Sequence, residues 1–191
     1  MGKVYLGDKF ISDVYTHIKE IPVEKYVDVL KKPASGYMVD ENGVAKRVEF
    51  DFTGAFDEIT SIDTGGLQRA FYYCTGITGS INFPSLTSID TYGLQQAFYN
   101  CTGINSVSFP KLTSIGTQGL YVAFGGCSGI TGSINFPKLT SIGDYGLDNA
   151  FSGCTGITEL HFRADTQSVI EAQSGYSDKF GATNATIYFD L

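Results

Sequence analysis

The stretch Leu86-Thr87-Ser88-Ile89-Asp90-Thr91-Tyr92-Gly93-Leu94-Gln95-Gln96-Ala97-Phe98-Tyr99-Asn100-Cys101-Thr102-Gly103-Ile104-Asn105-Ser106-Val107-Ser108-Phe109-Pro110 decides the fold, because the chain writes nearly the same line four times. The cysteines mark the frame: Cys74, Cys101, Cys127 and Cys154 are 27, 26 and 27 residues apart. A fixed period of this length is the mark of a repeat architecture, in which each unit buries its apolar face only against its neighbours. The first unit starts at Ile59-Thr60-Ser61-Ile62, the third at Leu112 and the fourth at Leu139, so four full repeats occupy residues 59–163. The short spacing has a visible cause: Thr78-Gly79-Ser80 and Thr131-Gly132-Ser133 carry a residue that Asn105-Ser106 lacks. A turn is expected to absorb it.

Within a unit, Ser80-Ile81-Asn82-Phe83 alternates polar and apolar as a strand with one buried face does, and Pro84 ends it by removing a backbone donor. Gly-Leu-x-x-Ala-Phe-x-x-Cys puts Leu, Ala, Phe and Cys at i, i+3, i+4 and i+7, which lines one face of a short helix. Strand, Leu-Thr-Ser-Ile, helical arc and Thr-Gly turn make one coil of an α/β repeat solenoid. Glycine, 23 of 191 residues or about 12 per cent, exceeds the usual roughly 7 per cent, and the recurring positions are expected to be corners where the chain bends. The repeated Thr-Ser pairs, Thr60-Ser61 through Thr140-Ser141, are expected to form hydrogen-bonded ladders between coils.

Flanking segments close the ends. Val48-Glu49-Phe50-Asp51-Phe52 repeats the strand alternation in a degenerate unit. After the fourth unit, Asp165 or Thr166 can cap a helix that runs toward Ser174-Gly175, and Ala185-Thr186-Ile187-Tyr188-Phe189 reads as one more strand of the same parallel sheet. Residues 48–191 are therefore one solenoid with a C-terminal cap at 164–191. Residues 1–47 have another texture, a β-rich leader with hairpin signals around Gly7-Asp8-Lys9 and Asp40-Glu41-Asn42-Gly43 and a strand at Tyr26–Leu30.

Composition excludes several functions. Twenty acidic against 13 basic residues give a net charge of −7, which repels a phosphate backbone, and the densest basic stretches are the pairs Lys31-Lys32 and Lys46-Arg47, so no nucleic-acid partner is expected. The apolar runs are only a few residues long, too short for membrane insertion. Met1 to Lys9 carry charge and glycine where a secretory signal has its apolar run, so no signal peptide is expected. His17 and His161 stand in no arrangement of nucleophile and base, and phosphate loops and metal-ligand spacings are absent. The chain reads as a non-enzyme with no catalytic residue, no metal and no cofactor, and His161 reads as a solvated strand residue. The sequons at Asn100 and Asn184 are read as chance.

The pattern Leu-Thr-Ser-Ile-Gly, Ala-Phe-x-x-Cys-x-Gly-Ile and Phe-Pro resembles the BspA-like bacterial leucine-rich repeats over residues 59–163. That resemblance implies a right-handed coil with short parallel strands on one face and short helical turns on the other. It also implies a surface or secreted module for adhesion or protein contact, without catalysis. The units here are a few residues longer than the family's usual length. A shorter likeness, Lys3–Lys9 with Ile11–Tyr15, is similar to openings of phage tail and virion proteins, which implies a particle component attached or oligomerised through residues 1–47, and a virion or extracellular location. Without either, the chain would be cytoplasmic.

Packing does not constrain outward positions where the copies differ, so function is expected there. One such surface is the sheet face, with Asp51, Asn82, Ser108, Asn135, His161 and Tyr188; the other is the helical arc, with Tyr72, Tyr73, Tyr92, Tyr99, Tyr121 and Tyr145. Either would serve a protein or glycan partner, since a rigid ring with a hydroxyl buries area at low entropic cost. The cysteines are expected to be small buried side chains whose parallel Cβ vectors do not face each other. Titration of the unfolded chain with a thiol reagent should therefore count four free thiols; two or none would contradict this reading.

Overall fold

A computed structural model of the chain describes residues 55–191 throughout and, before them, five short strands: β1 (Tyr5–Leu6), β2 (Lys9–Phe10), β3 (Tyr37–Val39), β4 (Ala45–Arg47) and β5 (Phe50–Asp51). Strands β1 and β2 pair antiparallel, as do β3 and β4, on either side of the two expected turns. The strand expected at Tyr26–Leu30 and the residue His17 lie outside the described residues. From β5 onward every strand pairing is parallel.

Each coil contributes two strands. The Thr-Ser-Ile segments form β6 (Ser61–Ile62), β8 (Ser88–Ile89), β10 (Ser114–Ile115) and β12 (Ser141–Ile142), four short parallel strands with Ser opposite Ser and Ile opposite Ile. The ladder expected from the Thr-Ser pairs is present: the Oγ1 hydroxyls of Thr87, Thr113 and Thr140 donate to the carbonyls of Thr60, Thr87 and Thr113 at 2.9, 2.8 and 3.1 Å. The longer strands are β7 (Ile77–Asn82), β9 (Gly103–Ser108), β11 (Thr131–Phe136) and β13 (Gly156–Phe162).

These longer strands do not make one sheet. They form two parallel three-stranded sheets, β5-β7-β9 and β11-β13-β14, where β14 is Thr186–Phe189. The register shifts by one beside Gly79 and beside Gly132, both at positive φ, +81° and +78°, and the ladder there skips Asn105 of β9 and Thr158 of β13. Such a shift is a β-bulge. A longer coil pairs well with the shorter one that follows it, in coils one to two and three to four. From coil two to coil three the order is reversed, and the ladder is interrupted there.

The arc differs from the expected helix. The apolar spacing is realised, with Leu94, Ala97, Phe98 and Cys101 all fully buried, but the backbone is a chain of tight turns. Alternate amides bond three residues back, as Ala97 N to the Leu94 carbonyl (3.0 Å), while those between them reach the next coil, as Phe98 N to the Ala123 carbonyl (2.8 Å). Every fourth residue is left-handed: Tyr92, Gln96 and Asn100 in coil two, Gln118, Val122 and Gly126 in coil three, Tyr145, Asn149 and Gly153 in coil four. A period of four keeps the i, i+3, i+4, i+7 stripe inward just as a helix would, which is why the pattern alone does not separate the two.

The repeated glycines answer to proximity more than to bending. A Cβ on Gly103 would sit 2.4 Å from the Ile77 carbonyl oxygen of the preceding coil. A side chain there would push the coils apart.

Between sheets and arc lie two spines of phenylalanine. Phe71, Phe98, Phe124 and Phe151 stack at 4.9, 5.2 and 6.0 Å, and Phe83, Phe109, Phe136 and Phe162 at 5.4, 5.8 and 5.3 Å, with adjacent rings within 11° of parallel. Phe56 lies on the first coil, 4.7 Å from Phe83. The thiols of Cys101, Cys127 and Cys154 donate to the carbonyls of Phe71, Phe98 and Phe124 at 3.0 to 3.1 Å, and all four cysteines are free. Burial pushes the thiols of Cys74 and Cys154 up to about 12 and those of Cys101 and Cys127 higher still, so they are unreactive.

Residues 164–191 cover the fourth coil. A 3-10 turn (Ala164–Thr166) leads into helix α1 (Gln167–Glu171), shorter than expected and without a side-chain N-cap, because the Thr166 hydroxyl donates instead to the Arg163 carbonyl at 2.9 Å. Tyr176–Gly181 then imitates an arc: Lys179 and Phe180 are left-handed, and the Phe180 carbonyl accepts the Phe151 amide at 3.0 Å. Strand β14 pairs with β13 from Glu159↔Thr186 to Phe162↔Phe189. Removing residues 164–191 should give an insoluble or non-cooperatively melting product, read by solubility and a thermal melt. Val122, a β-branched residue at φ +52°, bears a left-handed penalty on the order of 1 kcal/mol. Val122→Asn, matching Asn149 in the next coil, should raise the midpoint by about 2–4 °C; an unchanged or lower midpoint would contradict the strain.

Candidate functional site

Sequence patterning nominated two surfaces, and the structure organises them differently. On the sheet face, register sets Asn82 beside Ser108, Asn135 beside His161 and His161 beside Tyr188. Because the ladder is interrupted after β9, this row is in two pieces. Asp51 stands opposite Thr78 at the start of β7, not in the row of Asn82, because Phe50 pairs with Ile77. The outward polar groups are tied together: Ser108 Oγ donates to Asn82 Oδ1 at 2.9 Å, Ser106 Oγ to Ser80 Oγ at 2.7 Å, and Ser133 Oγ to Glu159 Oε2 at 2.6 Å.

His161 is not simply a solvated strand residue. Its ring is partly buried and stacks on Tyr188 at 4.9 Å, with Nδ1 2.8 Å from Asp190 Oδ1 and Nε2 3.2 Å from Glu159 Oε2. Glu159 is held below its usual range by the Ser133 hydroxyl and then by His161. Sequence reasoning missed this grouping because Asp190 is remote in the chain and reaches His161 only once β14 has paired.

On the arc, the structure brings together Tyr72, Tyr73 and Tyr99. Tyr72 stacks on Tyr99 with ring centroids 5.0 Å apart, and Tyr73 meets both edge-on at 4.7 and 5.5 Å. The Arg69 guanidinium carbon lies 5.8 Å from the centre of the Tyr72 ring, and its Nε donates to Gln96 Oε1 at 2.6 Å, which fixes the cation over the aromatic edge of coils one and two. Tyr72 and Tyr73 remain 37 and 43 per cent exposed. Burial, followed by the neighbouring phenols, raises the Tyr72 pKa, so this hydroxyl keeps its proton at neutral pH.

Tyr92, Tyr121 and Tyr145 stand apart from this group. Tyr92 and Tyr145 are exposed at the first left-handed position of their coils, and Tyr121 is half-buried in the column that carries Gln95. Beside it, a run of amides that the sequence reading passed over, Gln68 to Gln95 to Gln118, links three coils. The column that holds Tyr72 and Tyr99 continues as Gly125 and Ser152, and that of Tyr73 as Asn100, Gly126 and Gly153. The aromatic group thus ends at a step down to bare backbone, with the Tyr99 ring against Gly125, where an added Cβ would stand 3.1 Å from Tyr99 Cδ2.

Among the described residues, no group of three or more His, Cys, Asp or Glu is arranged to hold a metal ion, and no helix is long and apolar enough to cross a membrane. What the two faces offer is shape, hydroxyls and rings on a backbone locked coil to coil.

Two solved structures are similar to the chain: a leucine-rich cell surface protein from Faecalibacterium prausnitzii A2-165, at 17% identity and a TM-score of 0.35, and the leucine-rich repeat protein of T. pallidum, at 18% identity and a TM-score of 0.41. The alignments cover 80% and 91% of this chain, but only 36% of the first protein against 83% of the second. The chain thus spans about a third of the length of the F. prausnitzii protein. No curated protein matches it in sequence. The sequence profile of the BspA type leucine-rich repeat region matches residues 60–176 in six copies, more than half the chain, and the protein belongs to that family.

Proposed function

We propose that this protein is a non-enzymatic recognition module that binds a macromolecular partner through the arc face of its first two coils, in the manner of an adhesin. One observation carries the proposal: Tyr72, Tyr73 and Tyr99 converge with Arg69 on a rigid surface where the tyrosine columns of coils three and four hold only Gly and Ser. The fold needs no ring in those columns, as the later coils demonstrate. Tyr and Arg are the side chains that most often dominate binding energy, and here their mutual contacts prepay part of the ordering cost. The sheet face supplies a second, more polar contact row.

Binding of the full chain is to be measured by biolayer interferometry against immobilised serum and matrix glycoproteins and defined oligosaccharides. The double variant Tyr72→Ser, Tyr73→Gly copies Ser152 and Gly153, so it should melt like the parent while losing at least about tenfold in affinity. Asn82→Ser, which copies Ser108, should change affinity less than about threefold. Retained affinity in the tyrosine variant, or no binding by the parent to any probe, would overturn the proposal.

For residues 1–47 we propose attachment to a larger assembly, such as a phage tail or virion. The antiparallel pairs of that segment, β1-β2 and β3-β4, belong to none of the solenoid's three parallel sheets and support this reading. Light scattering should find a fixed homo-oligomer that becomes monomeric when residues 1–47 are deleted; a monomeric full chain would contradict it.

A further inference from the structure

We propose that His161, with Asp190 and Glu159, is a pH-sensitive clasp that fastens strand β14 to the fourth coil, closed while the imidazole carries both ring protons and loosened when it loses one. The geometry carries the argument. Both ring nitrogens face carboxylate oxygens, Nδ1 at 2.8 Å from Asp190 and Nε2 at 3.2 Å from Glu159. A doubly protonated ring can donate to both. A neutral ring has one N–H, so one nitrogen lone pair must point at a carboxylate, whichever tautomer forms.

The rest of the surroundings leave this relation undisturbed. From β11, the neighbouring groups are Ser133, which donates to Glu159, and Asn135, both uncharged. From β14 comes Tyr188, whose ring stacks on the imidazole, and just beyond that strand Asp190. The nearby cation Arg163 is engaged by Asp165 at 2.8 Å. Asp190 is the acceptor that joins the two strands, whereas Glu159 lies on the same strand as His161 and is itself positioned by Ser133.

Burial of the ring pulls its proton affinity down, and the hydrogen bonds and charges of Asp190 and Glu159 outweigh that effect, so the His161 pKa lies above its ordinary value. A group raised on folding contributes stability that is fully present below its unfolded value, roughly 6.5, and is lost as pH rises through the folded one. The clasp therefore holds in mildly acidic solution and weakens on the alkaline side. What loosens is β14, along with the Tyr188 ring on the sheet face.

Hydrogen exchange of the full chain, expressed as protection factors to remove the intrinsic pH dependence of exchange, tests the clasp. Between pH 6 and pH 8 the amides of Thr186 to Asp190 should lose protection roughly two- to fivefold, the size expected of partly exposed ion pairs, while those of β7 and β9 stay constant. In His161→Gln the terminal strand should show low protection at both pH values. In Asp190→Asn the imidazole titration, followed by NMR, should move to lower pH. A flat profile in the parent, the same pH dependence in His161→Gln, or an unmoved titration in Asp190→Asn would overturn the clasp.

Discussion

Every feature of this molecule follows from the spacing at which one coil's backbone bonds to the next. Strand amides and arc amides alike reach carbonyls of an adjacent coil, and a sheet ladder holds its members about 4.8 Å apart. At that distance a residue's nearest neighbour is its own counterpart in the next copy. Side chains must then tolerate themselves as partners, and the chain uses those that do. Phenylalanine stacks on phenylalanine, threonine hydroxyls bond along the Thr ladder, and a cysteine thiol fits beneath a phenylalanine carbonyl. Glycine stands where even a Cβ would hold two backbones apart, as at Gly103.

The same constraint separates structure from recognition. Inward columns repeat because a change in one coil must be accommodated by two neighbours at once. Outward columns carry no such obligation, and there the copies diverge: Tyr72 and Tyr99 give way to Gly125 and Ser152, and Asn82, Ser108 and Asn135 to His161 and Tyr188. The aromatic group lies toward one end of the solenoid and the ionic group about His161 toward the other. A recognition surface and a titratable fastening can thus occupy one small scaffold without competing for positions.

Much of this was legible beforehand because a repeat states its own alignment. The cysteine period, the strand alternation before Pro84 and the Thr-Ser pairs led to a parallel coil with buried Phe and Cys columns, and the structure agrees. The arc was read as helical for a physical reason: a turn ribbon with a left-handed residue at every fourth position buries the same i, i+3, i+4, i+7 stripe as a helix. Nothing in Tyr92, Gln96 or Val122 announces positive φ, since none of these types favours it. The extra Gly79 was seen, but that the ladder beside it would skip Asn105 of the facing strand depended on what lay opposite in the next coil.

The sequence by itself determined the coil count, the inward and outward sets and the family, because these depend on period and polarity along the chain. The tertiary structure alone decided the interruption between β9 and β11, the convergence of Tyr72, Tyr73, Tyr99 and Arg69, and the seat of His161 between two carboxylates. Each of those joins residues that are distant in the chain, at separations set by the lateral register of adjacent coils. That register is a sum over strand, bulge and arc hydrogen bonds, and it exists only once the coils are stacked.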